Sequence, residues 1–142
     1  MCGCYKLASE LLCAGVMERE KSLSDRLEER LIEFAAVIVT FCADLAGTSA
    51  GKHIAMQMLR SGTAPAPNYA EARGAESRAD FIHKLGVVQK ELNETSVWLR
   101  ILMRINLGKE DLLVAIYQEN VELARIITKS IMTARKRSEA PK

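Results

Sequence analysis

Apolar residues recur with helical periodicity along most of this chain. Between Ser24 and Ala46, the positions Leu27, Leu31, Phe34, Ile38, Phe41 and Leu45 alternate at spacings of four and three. That is a heptad seam, and it predicts a helix with one face packed against neighbours. Ser24 is the expected N-cap, with Asp25 in the first turn, and Gly47 is the expected stop. A second apolar stripe lies beside the first: Ile32, Ala36, Val39, Ala43 and Ala46. A helix that hides one face in its own bundle needs only one stripe. The second predicts a further contact, made with another copy of the chain.

The next segment starts near Ser49 and places Ile54, Met58 and Ser61 on one line and Ala55, Leu59 and Gly62 on the next. Pro65 and Pro67 are expected to break it, since neither can donate a backbone hydrogen bond and each disfavours helix in its predecessor. Asn68 is expected to cap a short restart, with Glu71 reaching back to it, that ends near Gly74. A third segment opens at Ser77-Arg-Ala-Asp80 and runs to about Asn106. Its seam is Phe81, Leu85, Val88, Leu92, Thr95, Leu99 and Leu102, widened by Trp98, Ile101 and Ile105. A fourth runs from Lys109 or Glu110 to about Arg137, with Ile116, Leu123, Ile127 and Ile131 inward. Long helices joined by short connections must reverse direction, so the expected fold is all-α, an antiparallel up-down-up-down four-helix bundle. The domain division that follows is a leader at 1–23, disordered or a helical extension, the bundle at 24–137 and a frayed tail at 138–142.

Composition agrees with helix-on-helix packing. The chain has 142 residues, 49% hydrophobic but only 5% aromatic, and its prolines leave 1–64 and 68–140 free for long helices. That length supports a core without staples. Net charge is +2 from 20 basic and 18 acidic residues, too balanced to announce nucleic acid by itself. The charge is uneven, however: residues 24–46 sum to −3 and residues 107–142 to +2, ending in Arg135-Lys136-Arg137. Such cations also complement the dipole of a helix C-terminus.

Cys2, Cys4, Cys13 and Cys42 form no C-x-x-C pair, which argues against a structural zinc site and for free thiols in a reducing cytoplasm. No apolar run reaches the length of a membrane span. Residues 1–16 imitate a signal peptide weakly, with Lys6 as the sole basic residue, a short apolar run at Leu11–Val16 and no small-residue cleavage site. Export is not expected, and Met17 offers an alternative start.

Three blocks are familiar: Arg60-Ser-Gly-Thr-Ala-Pro-Ala-Pro-Asn-Tyr-Ala-Glu-Ala, Glu76-Ser-Arg-Ala-Asp-Phe-Ile-His-Lys-Leu-Gly and Lys90-Glu-Leu-Asn-Glu-Thr-Ser-Val-Trp-Leu. Together they resemble the bacterial 23S rRNA intervening-sequence proteins, across roughly Leu27 to Arg137. The resemblance implies a four-helix protomer assembled as a ring-shaped homopentamer. That family has no settled biochemical activity. It is similar in fold to the accessory proteins of diversity-generating retroelements, basic pentameric barrels that bind nucleic acid and a reverse transcriptase. RNA or DNA and a nucleic-acid-processing protein are thus the partners the resemblance implies. Two departures stand out: residues 1–23 have no counterpart, and the charge is milder than in the retroelement proteins.

Chemistry-bearing groups are sparse. Glu91 and Glu94 share a helix face, but a di-iron site wants Glu-x-x-His on two helices. Asp80-Phe-Ile-His83 is the sole approximation. Pairing of these glutamates with Arg60 or other basic residues, in a polar layer or at a subunit contact, is the simpler expectation. His53 and His83 lie on different helices and neither stands near a distinguished serine or cysteine, so no nucleophile-and-base arrangement is read. No catalytic, cofactor or metal site is therefore expected. Gly86, inside a strong helix, suggests close approach of another helix. Arg60, Asn68, Glu71, Glu91 and Trp98 read as a structural or oligomer-forming polar motif, with Trp98 buried and its N–H bonded. Asn68–Arg73 is too short for the recognition helix of a helix-turn-helix. Arg125, Lys129, Arg135, Lys136 and Arg137 are the candidate nucleic-acid contacts. The functional expectation is a non-enzymatic oligomeric scaffold that binds RNA or DNA through basic surfaces. The alternative is a protein-interaction scaffold, which the near-neutral charge and few base-stacking aromatics favour.

Overall fold

The computed structural model describes residues 21–45 and 47–139, and side chains as far as Arg137. The expectations for residues 1–20, for Ala46 and for residues 140–142 lie outside the described residues. Five helices follow in order: α1 (Leu23–Asp44), α2 (Ser49–Thr63), α3 (Pro65–Arg73), α4 (Arg78–Arg104) and α5 (Glu110–Glu139). Among the described residues there is no strand. Only Ala64 separates α2 from α3, and it is itself helical at φ −62° and ψ −33°. The two therefore form one long member, and the chain is a four-helix bundle.

Several helix ends correct the expectations. The N-cap of α1 is Ser22, not Ser24: the Ser22 hydroxyl accepts the Asp25 N–H at 3.1 Å, and Asp25 accepts the Ser22 N–H at 3.0 Å. Both members of a capping box are present, so two otherwise orphaned donors are satisfied. The prolines do not break the second member. Pro65 occupies the opening turn of α3, where a missing N–H costs nothing and a fixed φ suits the helix. Asn68 therefore lies inside α3, its side-chain N–H₂ donating to the Ala64 carbonyl at 2.8 Å. Glu71 is exposed and does not reach back to it. Ser77 caps α4 as expected, accepting from the Asp80 N–H at 3.1 Å. The end of α4 is closed by Leu107 N–H on the Leu102 carbonyl and Asn106 N–H on that of Met103. Asn106 takes the left-handed conformation at φ +51° that this closure needs. At the far end α5 runs on to Glu139, past the expected Arg137.

The seams are the core. Leu31, Phe34, Ile38 and Phe41 of α1 and its C-cap Leu45 are buried, as are Leu85, Val88, Leu92, Thr95, Leu99 and Leu102 of α4. Ile116, Leu123, Ile127 and Ile131 complete the layer from α5. Each large side chain so buried contributes about 1.5–3 kcal/mol. Phe81 is a correction, since it is half-buried at the margin. So is Gly86, around which nothing lies within 4 Å of a built Cβ. Close approach occurs instead at glycines such as Gly62, where a Cβ would sit 2.8 Å from Ile38 Cγ2. That glycine lets α2 and α1 meet backbone to side chain.

Polar ties mark which parts of the helices are level. Arg78, opening α4, donates to the Arg137 carbonyl near the end of α5 at 2.7 Å. Midway, Gln89 donates to Thr128 at 2.6 Å, and Asn120 donates to the Leu92 carbonyl at 3.0 Å. Arg30 of α1 grips Glu119 of α5 with two bonds, at 2.6 and 2.8 Å. That forked pair spans the thinnest seam of the bundle, and the Glu119 carboxylate holds the Arg30 guanidinium even more firmly protonated than usual.

Candidate functional site

The polar motif expected from the sequence is brought together only in part. Arg60 of α2 meets Glu94 of α4 at 2.9 Å, and Trp98 aims its N–H at the same carboxylate from 3.5 Å. His53 stands edge-on to the Trp98 ring, centroids 6.3 Å apart and planes at 78°. Trp98 is half-buried rather than buried, and Arg60 is largely exposed. Glu91 is not the partner of Arg60; it contributes its carbonyl, 2.9 Å from the Thr95 hydroxyl. Beneath the cluster, Thr95 and Ser61 bond across the α2–α4 contact at 2.9 Å, both fully buried. Asn68 and Glu71 stand apart on α3. The Arg60–Glu94 pair links α2 to α4, and an exposed ion pair of this kind contributes roughly 0–1 kcal/mol.

Among the described residues no three His, Cys, Asp or Glu side chains cluster. Asp80 is engaged by Lys84 at 3.0 Å, which holds its carboxyl below the usual range, and His83 is exposed. Cys42 lies in the core, and burial pushes its thiol up to about 11, so the nucleophilic thiolate is scarce at neutral pH.

The cations of α5 are exposed. Arg125, Lys129 and Lys136 lie four and seven apart and so share one side of the helix, while Arg135 and Arg137 flank it to left and right. Arg125 approaches Glu122 at 3.7 Å, with 77% of its side chain open to solvent. Beside this line α4 and α5 enclose a groove of about 430 Å³, walled by Asn93, Ser96, Val121, Ala124, Thr128 and Met132. Buried Asn120 lies at its floor, and its Oδ1 has no hydrogen-bond partner. A second cleft, of about 480 Å³, opens at the end of the bundle between the α1–α2 and α4–α5 turns. Its walls are mostly apolar (Phe41, Leu45, Leu107, Leu112), with Asp44 and Lys109 at the rim.

The remaining feature is apolar surface. On α1, Ile32 is 49% exposed and Val39 50%, while their neighbours Leu31 and Ile38 are at 0%. Ala36 is exposed between them and Ala43 one turn beyond Val39. This is the second stripe, uncovered on the single chain. Heptad spacing alone revealed it. The exposed apolar residues Val97 of α4 and Leu112, Val114, Val121 and Met132 of α5 were missed, because attention to the inward seam of each helix passed over its other faces. Among the described residues no helix is long and apolar enough to cross a membrane.

Two comparisons place this arrangement among known proteins. Residues 27–129 match the family described as 23S rRNA-intervening sequence protein. A solved structure from Bacteroides thetaiotaomicron, a protein of unknown function from the S23 ribosomal protein family, superposes with a TM-score of 0.72. It is 33% identical, and the match covers 77% of this chain and 97% of that one. Among curated proteins none matches.

Proposed function

The chain belongs to the 23S rRNA-intervening sequence protein family, and we propose that it acts there as a non-enzymatic, self-associating scaffold whose assembled surface binds RNA or DNA without sequence preference. The observation that carries the reading is the α1 stripe, with Ile32 and Val39 half exposed on a helix whose opposite face is fully buried. Exposed contiguous apolar surface of this kind marks an interface. The protomer is read as an up-and-down antiparallel bundle, supported by the start of α4 tying to the end of α5 through Arg78 and Arg137. Five copies in a ring is the number that family resemblance suggests, in a cytoplasmic setting. The basic side of α5 supplies the nucleic-acid contacts, with Arg135, Lys136 and Arg137 closest to its free end. In a closed ring each such cluster repeats by symmetry, so a modest charge per chain becomes a basic surface. A nucleic-acid-processing protein is the further partner this reading admits.

Light scattering coupled to size exclusion tests the first half: the expected mass at micromolar concentration is a multiple of 15.7 kDa, and a single-chain mass sinks it. Fluorescence anisotropy with generic RNA and DNA tests the second. Micromolar-range binding is expected at about 50 mM salt, weakening steeply by about 200 mM as phosphate neutralisation requires. Replacing Arg135, Lys136 and Arg137 by Ser should abolish most of it. An oligomer that fails to bind at the lower salt, or a triple variant that binds equally well, leaves the protein-interaction scaffold, which near-neutral net charge favours.

A further inference from the structure

The last turns of α5 outrun the start of α1. Leu23 and Leu27, at the beginning of α1, are level with Ile126 and Ser130 of α5, and together they wall a cleft of about 450 Å³ with Tyr69. α5 goes on past that level, and seven residues after Ser130 its Arg137 carbonyl takes the Arg78 side chain. About two turns of α5 and the opening of α4 therefore lie beyond the start of α1. A second cleft, of about 410 Å³, opens there between Phe81 of α4 and Ile126, Ser130 and Thr133 of α5. Ile126 and Ser130 wall both clefts, so the two adjoin.

Two apolar side chains mark this surface as short of a cover. Phe81 continues the α4 seam whose other positions are buried, yet it is itself only half-buried. Leu23 is 84% exposed at the mouth of the first cleft. The charged residues of the walls are Arg26, Arg30, Lys129 and Arg137, four cations and no carboxylate, and of these Arg30 is engaged by Glu119. An occupant should be apolar and acidic.

The residues just ahead in the chain have that character. Leu11, Leu12, Val16 and Met17 are apolar, and between residues 10 and 20 Glu10, Glu18 and Glu20 stand against Arg19 alone. Ser22 directly precedes Leu23, a wall residue of the first cleft, so this segment is tethered at the cleft mouth. A short flexible tether supplies an effective concentration in the millimolar range, which a separate acidic peptide would have to match.

We propose that residues 10–20 fold back over the two clefts of their own chain, their apolar side chains against Phe81 and Ile126 and their glutamates among Arg26, Lys129 and Arg137. The contact is made within one chain, so it stands whether or not the protein self-associates or binds nucleic acid. Opposite charge favours this cover and sets its register.

The chain's own thiols test it. Cys42 is buried in the core, and replacing Cys2 and Cys4 by Ser leaves Cys13 as the remaining thiol ahead of Ser22. In that background Ser130→Cys adds a thiol at the junction of the clefts. Glu71→Cys is the comparison: it is exposed on α3, two residues before the Arg73 that binds Asp25, and it lines neither cleft. Cys13 lies nine residues ahead of Ser22, up to about 30 Å of extended chain, so the tether alone lets it reach widely. After air oxidation, a denaturing gel without reductant and peptide mapping should show Cys13 joined to the new thiol in most Ser130→Cys chains, at the single-chain mass of 15.7 kDa. Few Glu71→Cys chains should be joined. Adding Leu12→Asp and Val16→Asp, both ahead of α1, should leave the bundle folded by circular dichroism and lower the Ser130→Cys yield to that of Glu71→Cys. Equal yields at the two positions, no link at Ser130→Cys, a link found only between two chains, or one that survives the two aspartates would each overturn the proposal.

Discussion

Leu92 sits at the middle of α4 with no exposed surface, and the Leu92 carbonyl also receives the Asn120 side chain. Truncating it to Ala removes buried methyl groups and leaves a hole that rigid neighbours cannot close. Leu92→Ala should cost roughly 2–5 kcal/mol in urea unfolding, and a change under about 0.5 kcal/mol would mean the seam does not pack as described. Leu92 was legible in the sequence because a heptad position in the middle of three aligned turns has one reading. Caps were less legible. The Ser-x-x-Asp spacing of Ser22 and Asp25 was there to be read, but Ser24 directly before the acid competed with it. Asn68 lost to Pro65 because proline prefers the opening turn of a helix, a preference that outranks a possible Asn cap. The glycines show a different limit. Gly86 looked like a point of close approach and is open, while Gly62 meets Ile38. One strand of sequence shows where a side chain is missing, not what lies opposite.

At the scale of elements, one end of the bundle is tied by ion pairs. Arg73, closing α3, reaches Asp25 at 2.6 Å and also binds Glu28, both at the start of α1. The Ser22 hydroxyl first, and Arg73 second, hold the Asp25 carboxyl below its ordinary value of 3.8. A carboxyl lowered in the folded chain favours folding above its unfolded value, and that contribution disappears as pH falls through the folded one. Stability should therefore be level near neutrality and decline below about pH 4. Asp25→Asn removes part of that acid limb, with Asp80, held low by Lys84, supplying another part. Urea midpoints measured between about pH 3 and 6 would check it; an Asp25→Asn variant with an unchanged acid slope shows that the tie is not made in solution. Helix count and helix faces were legible from periodicity, since 3.6-residue repetition survives local error. The joint between α2 and α3 was not, because proline ends one helix and opens another with the same residue chemistry.

For the whole molecule the informative relation is between assembly and nucleic acid. A single chain carries only a short run of cations at the end of α5, and its net charge of +2 gives little long-range attraction. Linking copies changes the arithmetic without adding a contact. Once one protomer is bound, its neighbours meet the same strand at high effective concentration, and apparent affinity can exceed a single chain's by about 10²–10⁴. Val39→Arg, which puts a charge into the α1 stripe, keeps Arg135, Lys136 and Arg137 and adds a cation, so by charge alone it should bind RNA slightly better than wild type. If binding depends on the assembled ring, it should instead bind far worse, by a factor of at least about 10². Its dependence on salt should also be shallower, since fewer phosphates are neutralised per particle. Anisotropy titrations of wild type and Val39→Arg at matched chain concentration separate the two. A monomeric Val39→Arg that binds as tightly as the oligomer, with the same salt slope, would show that each chain binds on its own and that assembly serves something else.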